Sequence, residues 1–289
     1  MIVVKISDGL GNQLFQYAYA RMLSTRTKQK VYLDNSDVNR ISDRTMKEGK
    51  QVRLCDIREY QLNNFQITLP VINKELLYKI YHSPKSDLKF YAYCRNLHLS
   101  HTIYLKESMV NEEKFRFSRW QNYYITGYFF DKKHYETQCN LLRKELRLKE
   151  KIKIPKEVKK ILTDRNTVSV HIRRGDFLKF RRDMSQSNYY NLALDYIKHK
   201  VHNPVLLIFS DDVNWVKDNM KFDFEHVVIS GQGFSDCEEL TLMSMCKNNI
   251  IANSTFSYWG AWLNEHKDKM VISPRGWNRK AIPDTWIQL

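Results

Sequence analysis

Short β-branched runs alternate with helically spaced apolar positions along much of this chain, most regularly in its second half. Ile2-Val-Val-Lys-Ile6 opens the sequence as a strand-like run, and Ser7-Asp-Gly-Leu-Gly-Asn-Gln13 breaks it. Leu14, Tyr17, Ala18, Met22 and Leu23 then fall at helical spacing. Val31-Tyr-Leu-Asp34 predicts a second strand and completes a βαβ unit. From about 40 to 130 charge is mixed, tyrosines are frequent and no period holds, so no topology is predicted there.

After Pro155 the alternation becomes regular. Thr167–Ile172, Val205–Phe209, Val227–Ile229, Ile250–Ala252 and Met270–Ile272 read as strands, and helices are predicted over Tyr189–Val201, Val213–Met220, Glu238–Lys247 and Ser257–His266. That order specifies a parallel sheet covered on both faces. Polar residues gather where three of these strands end: His171-Ile-Arg-Arg-Gly-Asp176, Ser210-Asp-Asp212 and Asn253-Ser-Thr-Phe-Ser257. Ligands of open α/β sheets bind outside the carboxyl ends of strands, so the three clusters predict one shared pocket.

A chain of 289 residues exceeds one ordinary core, and two domains are expected, residues 1–150 and 151–289. The join falls in the densest basic run, Lys149 to Lys160, which Glu150, Pro155 and Glu157 interrupt. Apolar residues make up 43% of the chain, enough to fill both cores, so the whole chain is expected to fold. Cys55, Cys94, Cys139, Cys237 and Cys246 are odd in number and widely spaced, which argues against a disulfide framework or a zinc site. The opening Met-Ile-Val-Val-Lys has no signal-type segment, and no run approaches the roughly 18–20 apolar residues of a bilayer span, so a cytoplasmic protein is expected. The net charge of +15 points to an anionic partner: phosphorylated small molecules, nucleic acid, or the inner face of an anionic membrane. A solvated basic surface accounts for it equally well.

Asp8-Gly-Leu-Gly-Asn-Gln-Leu14 is only superficially a dinucleotide fingerprint, because Leu14 stands where the third glycine is required. It leaves a flexible backbone at Gly9 and Gly11 and presents Asn12 and Gln13 at a helix N-terminus, where N–H groups suit an anion. A tight turn capped by asparagine is the plainer alternative. The segment His171–Asp176 is more pointed. His171 and Arg173 share one strand face, Gly175 lets the chain turn, and a guanidinium grips phosphate oxygens with a planar fork at any working pH. The competing reading is a structural ion pair between Arg173 and Asp176. Ser254 or Thr255 either caps a helix or offers a hydroxyl to phosphate, while Trp259 and Trp262 are assigned to the core. Glu239 either accepts hydrogen bonds from a base or ribose, or merely favours a helix dipole. No Asp-x-Asp pair occurs, and Asp223-Phe-Glu225 and Asp236-Cys-Glu238 are not at strand ends with other site residues, so no metal is expected.

Taken in order, Gly9-Leu-Gly-Asn-Gln-Leu-Phe-Gln-Tyr-Ala18, His171–Asp176, Phe209-Ser-Asp-Asp212 and Leu240–Cys246 running into Ile250–Leu263 resemble glycosyltransferase family 11, the α-1,2-fucosyltransferases. The resemblance implies an α/β, GT-B-like fold of two Rossmann-like lobes, an acceptor-side N-terminal lobe and a C-terminal lobe holding GDP-fucose. It implies metal-independent, inverting transfer of L-fucose from GDP-β-L-fucose to the 2-hydroxyl of a terminal galactose, on an oligosaccharide or a lipid-linked glycan, with no cofactor besides the donor. By the same resemblance Arg173 holds the β-phosphate, His171, Ser254 and Thr255 complete donor binding, and Gly11 and Asn12 approach from the other lobe. The candidate donor set drawn from these segments adds Arg174, Asp212, Glu239, Asn253 and Phe256, and Arg173 and Asp176 are the catalytic candidates. Asp8, Glu239 and Tyr258 replace the family's more usual glycine, aspartate and tryptophan. Asp176, Asp131 and Glu239 all remain open as general base. Acceptor specificity is expected in the stretch from 40 to 130, where Trp120, Tyr123, Tyr124 and Tyr128 could stack on sugar rings, with core packing the expected fate of most.

Two other classes compete. A basic nucleic-acid-binding protein would use the charge, but no helix-turn-helix, zinc-finger or RNP-type signature is present. A nucleotide-binding dehydrogenase would need the missing third glycine.

Overall fold

The computed structural model describes residues 1–38, 58–73, 75–77, 102–110, 115–179 and 182–289. They form two compact units. The first holds the described residues up to Glu145 except Asn63–Gln66, and the second holds Asn63–Gln66 with Leu146–Leu289. Backbone pairing draws the short segment into the second unit. Phe65 bridges Leu148 in antiparallel fashion, and the Lys149 N–H donates to the Asn64 carbonyl at 2.9 Å.

In the first unit β1 (Ile2–Lys5), β2 (Val31–Asp34), β3 (Thr102–Lys106) and β4 (Asn122–Thr126) make a parallel sheet in the order β2-β1-β4-β3. Ile2, Val3 and Val4 of the central β1 are fully buried, as a parallel strand covered on both faces requires. Helix α1 (Leu10–Thr27) links β1 to β2 and begins four residues ahead of the apolar spacing read from Leu14, with Gly9 as its N-cap. Gly11 therefore sits inside the first helical turn and not in a flexible loop. Gln13 and Gln16 are buried within α1, and buried amides must find partners. Gln13 donates to the carbonyls of Asp8 (2.8 Å) and Glu59 (2.7 Å) and accepts the Gln61 N–H (3.0 Å). Gln16 accepts the Ser7 N–H (2.9 Å) and donates to the Gly127 carbonyl (3.1 Å). The glutamines are clamps between loops, so Gln13 is not the ligand-facing amide that the sequence suggested. Helix α2 (Cys139–Glu145) closes the unit through buried Glu145, which accepts from the Tyr17 hydroxyl, Arg21 Nε and the Thr68 hydroxyl.

The second unit runs α3 (Lys156–Asp164), β5 (Asn166–Ile172), α4 (Gly175–Lys179), α5 (Tyr189–Lys200), β6 (Pro204–Ser210), α6 (Val213–Asn219) and β7 (Glu225–Val228). It continues with α7 (Asp236–Met245), β8 (Asn248–Ile250), α8 (Thr255–Leu263), β9 (Val271–Ser273) and β10 (Ile287–Gln288). All six strands are parallel, in the order β10-β9-β8-β5-β6-β7. Val168, Val170 and Ile172 of β5 pack on one face with Tyr189, Ala193 and Ile197 of α5 and Val216 of α6. On the other face Leu207 and Phe209 of β6 meet Val158 and Leu162 of α3 and Leu242 and Met243 of α7. Each fully buried aliphatic side chain contributes about 1.5–3 kcal/mol, so the sheet is held from both sides. Helix α7 opens with a capping box between Ser235 and Glu238. Where α7 crosses α8, a Cβ on Gly260 would lie 2.9 Å from the Met243 Cβ, so the two helices pack this closely only with glycine there.

Cys139, Cys237 and Cys246 are thiols, and Cys55 and Cys94 lie outside the described residues. No helix among the described residues is long and apolar enough to cross a membrane.

Candidate functional site

The second unit lays down β5, β6 and β7 in one direction and then returns to place β8 on the other side of β5. Connections leaving β5 and β8 therefore part, which opens a crevice at their carboxyl ends, the usual ligand position in such sheets. His171–Asp176 leaves β5 here and Asn253–Phe256 follows β8, with the rings of His171 and Phe256 at 5.5 Å. The third polar cluster joins them from the end of β6. Asp211 accepts the Arg174 backbone N–H at 2.8 Å and pairs with Arg173 at 3.0 Å.

Arg173 is partly open, its side chain 21% exposed, and its guanidinium is forked between Asp176 (2.6 Å) and Asp211 (3.0 Å). The ion pair that competed with phosphate binding in the sequence is thus present, with a second carboxylate added. Gly175 permits it, because a Cβ there would collide with the Asp211 carboxylate. Arg174 is placed differently. Its side chain is only 7% exposed, stacks on the Trp215 indole at 3.6 Å, and donates to Asp212 (3.2 Å), Asp183 (3.0 Å) and the Ser185 hydroxyl. Asp212 also caps α6 by accepting the Trp215 N–H at 3.3 Å. A guanidinium this enclosed needs its fork filled, since an unpaired buried charge costs several kcal/mol.

His171 is buried, and its Nδ1 has no hydrogen-bond partner among the described residues. Burial, and then the charge of Arg173, hold its pKa down to about 3, so the ring is neutral at working pH. Tyr190 donates to the His171 carbonyl at 3.0 Å, and Tyr189 donates to the carbonyls of Ile251 (2.7 Å) and Ile272 (3.0 Å), fixing three strand ends from one helix.

Ser254 caps α8 by accepting the Phe256 N–H at 3.3 Å, and Thr255 is the first residue of that helix. The capping reading therefore holds for Ser254. Asn253 donates to the Arg182 carbonyl at 2.9 Å, while its Oδ1 is buried without a partner among the described residues. Glu239, on α7, accepts from the Ser230 hydroxyl at 2.8 Å, and that hydroxyl accepts the Ser210 N–H at 2.9 Å, which ties Glu239 to the end of β6. Burial outweighs this hydrogen bond and raises the Glu239 carboxyl to about 7. Asp131 belongs to the first unit, where it caps the turn Lys132–His134 and pairs with Lys133 at 3.4 Å. Gly11 and Asn12 occupy the first turn of α1. Among the described residues no three His, Cys, Asp or Glu side chains are grouped to hold a metal ion.

Sequence reasoning met Asp211 only as a member of the Ser210-Asp-Asp212 cluster and passed over Asp183, Ser185 and Ser230. Asp211 was legible as the neighbour of Asp212 at a strand end. Asp183, Ser185 and Ser230 carry no motif, and only the fold brings them to the arginines and to Glu239.

Two α/β units, each built on a parallel sheet, are the architecture of a GT-B-like fold. A model of Glycosyl transferase family 11 matches residues 1–281, and the chain belongs to that family. It is 32% identical to the O-antigen biosynthesis glycosyltransferase WbnK of Escherichia coli, over 98% of this chain and 99% of WbnK. It is 27% identical to an alpha-1,2-colitosyltransferase of Escherichia coli, over 100% of this chain and 99% of the relative. Among solved structures, NodZ alpha-1,6-fucosyltransferase soaked with GDP-fucose matches with a TM-score of 0.50 at 12% identity over 91% of each chain, a likeness of fold.

Proposed function

We propose that this glycosyltransferase is an inverting α-1,2-fucosyltransferase that moves L-fucose from GDP-β-L-fucose to the 2-hydroxyl of a terminal galactose. The observation that carries the reading is Arg173, a partly open guanidinium at the switch point of the second sheet, beside a neutral imidazole whose ring meets Phe256 of α8 at 5.5 Å. Cleaving a sugar–diphosphate bond leaves about one extra negative charge on the leaving group, and a fixed planar cation is suited to stabilise it without a metal. The diphosphate has to take over part of a fork that two carboxylates fill. We assign the yielding place to Asp176, on the short helix α4, and leave Asp211 to hold the guanidinium in aim. Arg174, whose Nε and Nη1 are engaged by Asp212, Asp183 and Ser185, is assigned to holding these side chains in place beside the donor. Ser254, Thr255 and the first N–H groups of α8 face phosphate, and Glu239 receives the base or ribose.

The family, the fold shared with a fucosyltransferase and the α-1,2 linkage in a relative's name support this reading. The acceptor class is a galactose-containing oligosaccharide or lipid-linked glycan, and the basic surface suits contact with the anionic membrane face where lipid-linked acceptors are presented. One finding favours a second reading of the donor, since a full-length relative is named a colitosyltransferase and colitose is fucose without its 3-hydroxyl. Turnover of GDP-fucose and GDP-colitose by the purified protein, with a panel of galactosides, separates the two. Faster fucosyl transfer is expected, and a preference for colitose would overturn the fucose assignment.

A further inference from the structure

The amino-terminal edge of the first sheet carries an exposed tryptophan among cations. Strands β2 and β4 flank β1 in parallel, and Ile2 of β1 stands level with both Val31 and Tyr123. The turns that lead into β2 and β4 therefore emerge at one edge, about 10 Å apart, twice the spacing of neighbouring strands. The first turn is Lys28-Gln-Lys30, and the second runs from Phe115 to Gln121. Gln29 ties them together by donating to the Ser118 carbonyl at 3.4 Å.

Ring and backbone contacts hold the tip of the second turn outward. Phe115 and Phe117 meet edge to face at 4.9 Å, and Phe117 meets the buried Tyr123 in the same way at 4.9 Å. The Tyr123 hydroxyl accepts the Ser118 N–H at 2.8 Å, and the Ser118 hydroxyl accepts the Trp120 N–H at 3.3 Å. The Gln121 N–H closes the turn on the Ser118 carbonyl at 3.4 Å. The two phenylalanines are thereby turned into the fold and half-buried, whereas Trp120 is 91% exposed. Lys28, Lys30, Arg116 and Arg119 are exposed as well, and neither turn contains an acid.

An indole among lysines and arginines has the chemistry of the boundary between acyl chains and anionic headgroups, where tryptophan is enriched and cations are attracted. A single strand of nucleic acid also takes rings and cations, but it is bound along a groove on successive stacking platforms, and this tip offers one ring. A sugar is held in a concave site, which a protruding tip does not provide. We propose that this edge docks the protein on an anionic phospholipid surface, with Trp120 entering the headgroup layer and Lys28, Lys30, Arg116 and Arg119 lying over the lipid phosphates. β4 spans five residues, so its carboxyl end stands about 17 Å from the surface and is left uncovered by the contact. The proposal deepens the reading of a lipid-linked acceptor given above, while the docking edge itself rests on the geometry of the first unit.

Co-sedimentation of the full chain with vesicles of phosphatidylcholine and phosphatidylglycerol tests it. The wild type is expected to bind these vesicles, to bind phosphatidylcholine alone far more weakly, and to be released by salt. Trp120→Ala should weaken binding by about tenfold, the scale of part of an indole returned to water. Arg119→Ala and Lys30→Ala should each weaken it by about fivefold, the scale of one cation at an anionic surface. Tm and transfer to a soluble galactoside should stay at wild-type values in all three, since this edge lies away from the carboxyl ends of the strands. No binding by the wild type, or equal binding by Trp120→Ala, overturns the proposal. A matched loss of transfer to the soluble galactoside would make Trp120 a sugar platform and overturn it too, and tighter binding of a single-stranded oligonucleotide than of vesicles would put nucleic acid in place of lipid. If the wild type transfers no fucose yet binds vesicles through Trp120, the fucosyltransferase reading fails and the docking edge stands.

Discussion

Glu239→Gln should make the second unit less sensitive to rising pH. The carboxyl is raised from 4.5 to about 7, chiefly by burial. That corresponds to at most about 3 kcal/mol of preference for its neutral form. Below pH 4.5 folded and unfolded chains are both protonated at this site. Between 4.5 and 7 the unfolded chain releases its proton while the folded one keeps it, so stability falls as pH rises, and above 7 the burial penalty is fully felt. Glutamine has the neutral shape at every pH and can still accept from the Ser230 hydroxyl. The variant should therefore match wild type near pH 4.5 and exceed it by up to about 3 kcal/mol near pH 8. Amide exchange of β6 and β8, corrected for the intrinsic pH dependence of exchange, reads the opening of this unit. A flat difference between the two proteins across this window, or a variant that loses ground as pH rises, would refute the reasoning.

Three further outcomes follow from the arginine fork. Arg173→Ala should cut kcat by about 10² to 10³-fold or more with the fold intact by circular dichroism, and Arg173→Lys should recover little because a point charge cannot replace a planar fork. Asp176→Asn should tighten GDP binding by calorimetry, since the diphosphate no longer competes with a carboxylate, and weaker binding would contradict the assignment of Asp176 as the yielding group. Transfer should persist in excess EDTA, and loss of activity restored by manganese or magnesium would overturn the arginine-only account.

The second half of the sequence was readable because each element there declares itself locally. β5 and β6 are apolar runs bounded by turn residues, and the helices that cover them carry helical spacing. The polar clusters at the strand ends could be assigned to one place because parallel strands align their carboxyl ends. The first half resisted for equally physical reasons. β4, Asn-Tyr-Tyr-Ile-Thr, is a central strand whose partner β1 lies some 120 residues away, and nothing local records that pairing. Tyr123 and Tyr124 looked available for sugar stacking but are buried, with the Tyr124 hydroxyl donating to Asp34 at 2.6 Å. Trp120 is 91% exposed, and Tyr128 is 44% exposed with its ring stacked on Phe130 at 5.2 Å. Gln13 misled because polarity at a helix start suggests a ligand, whereas here the amide closes the loops around Asp8. The different surroundings of Arg173 and Arg174 were likewise hidden, since adjacent identical side chains differ only in which neighbours the fold supplies.

Proton NMR of the purified product made from GDP-fucose and a β-galactoside tests the central claim most directly. Direct displacement, with departure stabilised by Arg173, inverts the anomeric centre, so the account predicts an α-linked fucose on the 2-hydroxyl of galactose. A β-fucoside, or attachment at any other galactose carbon, would contradict it.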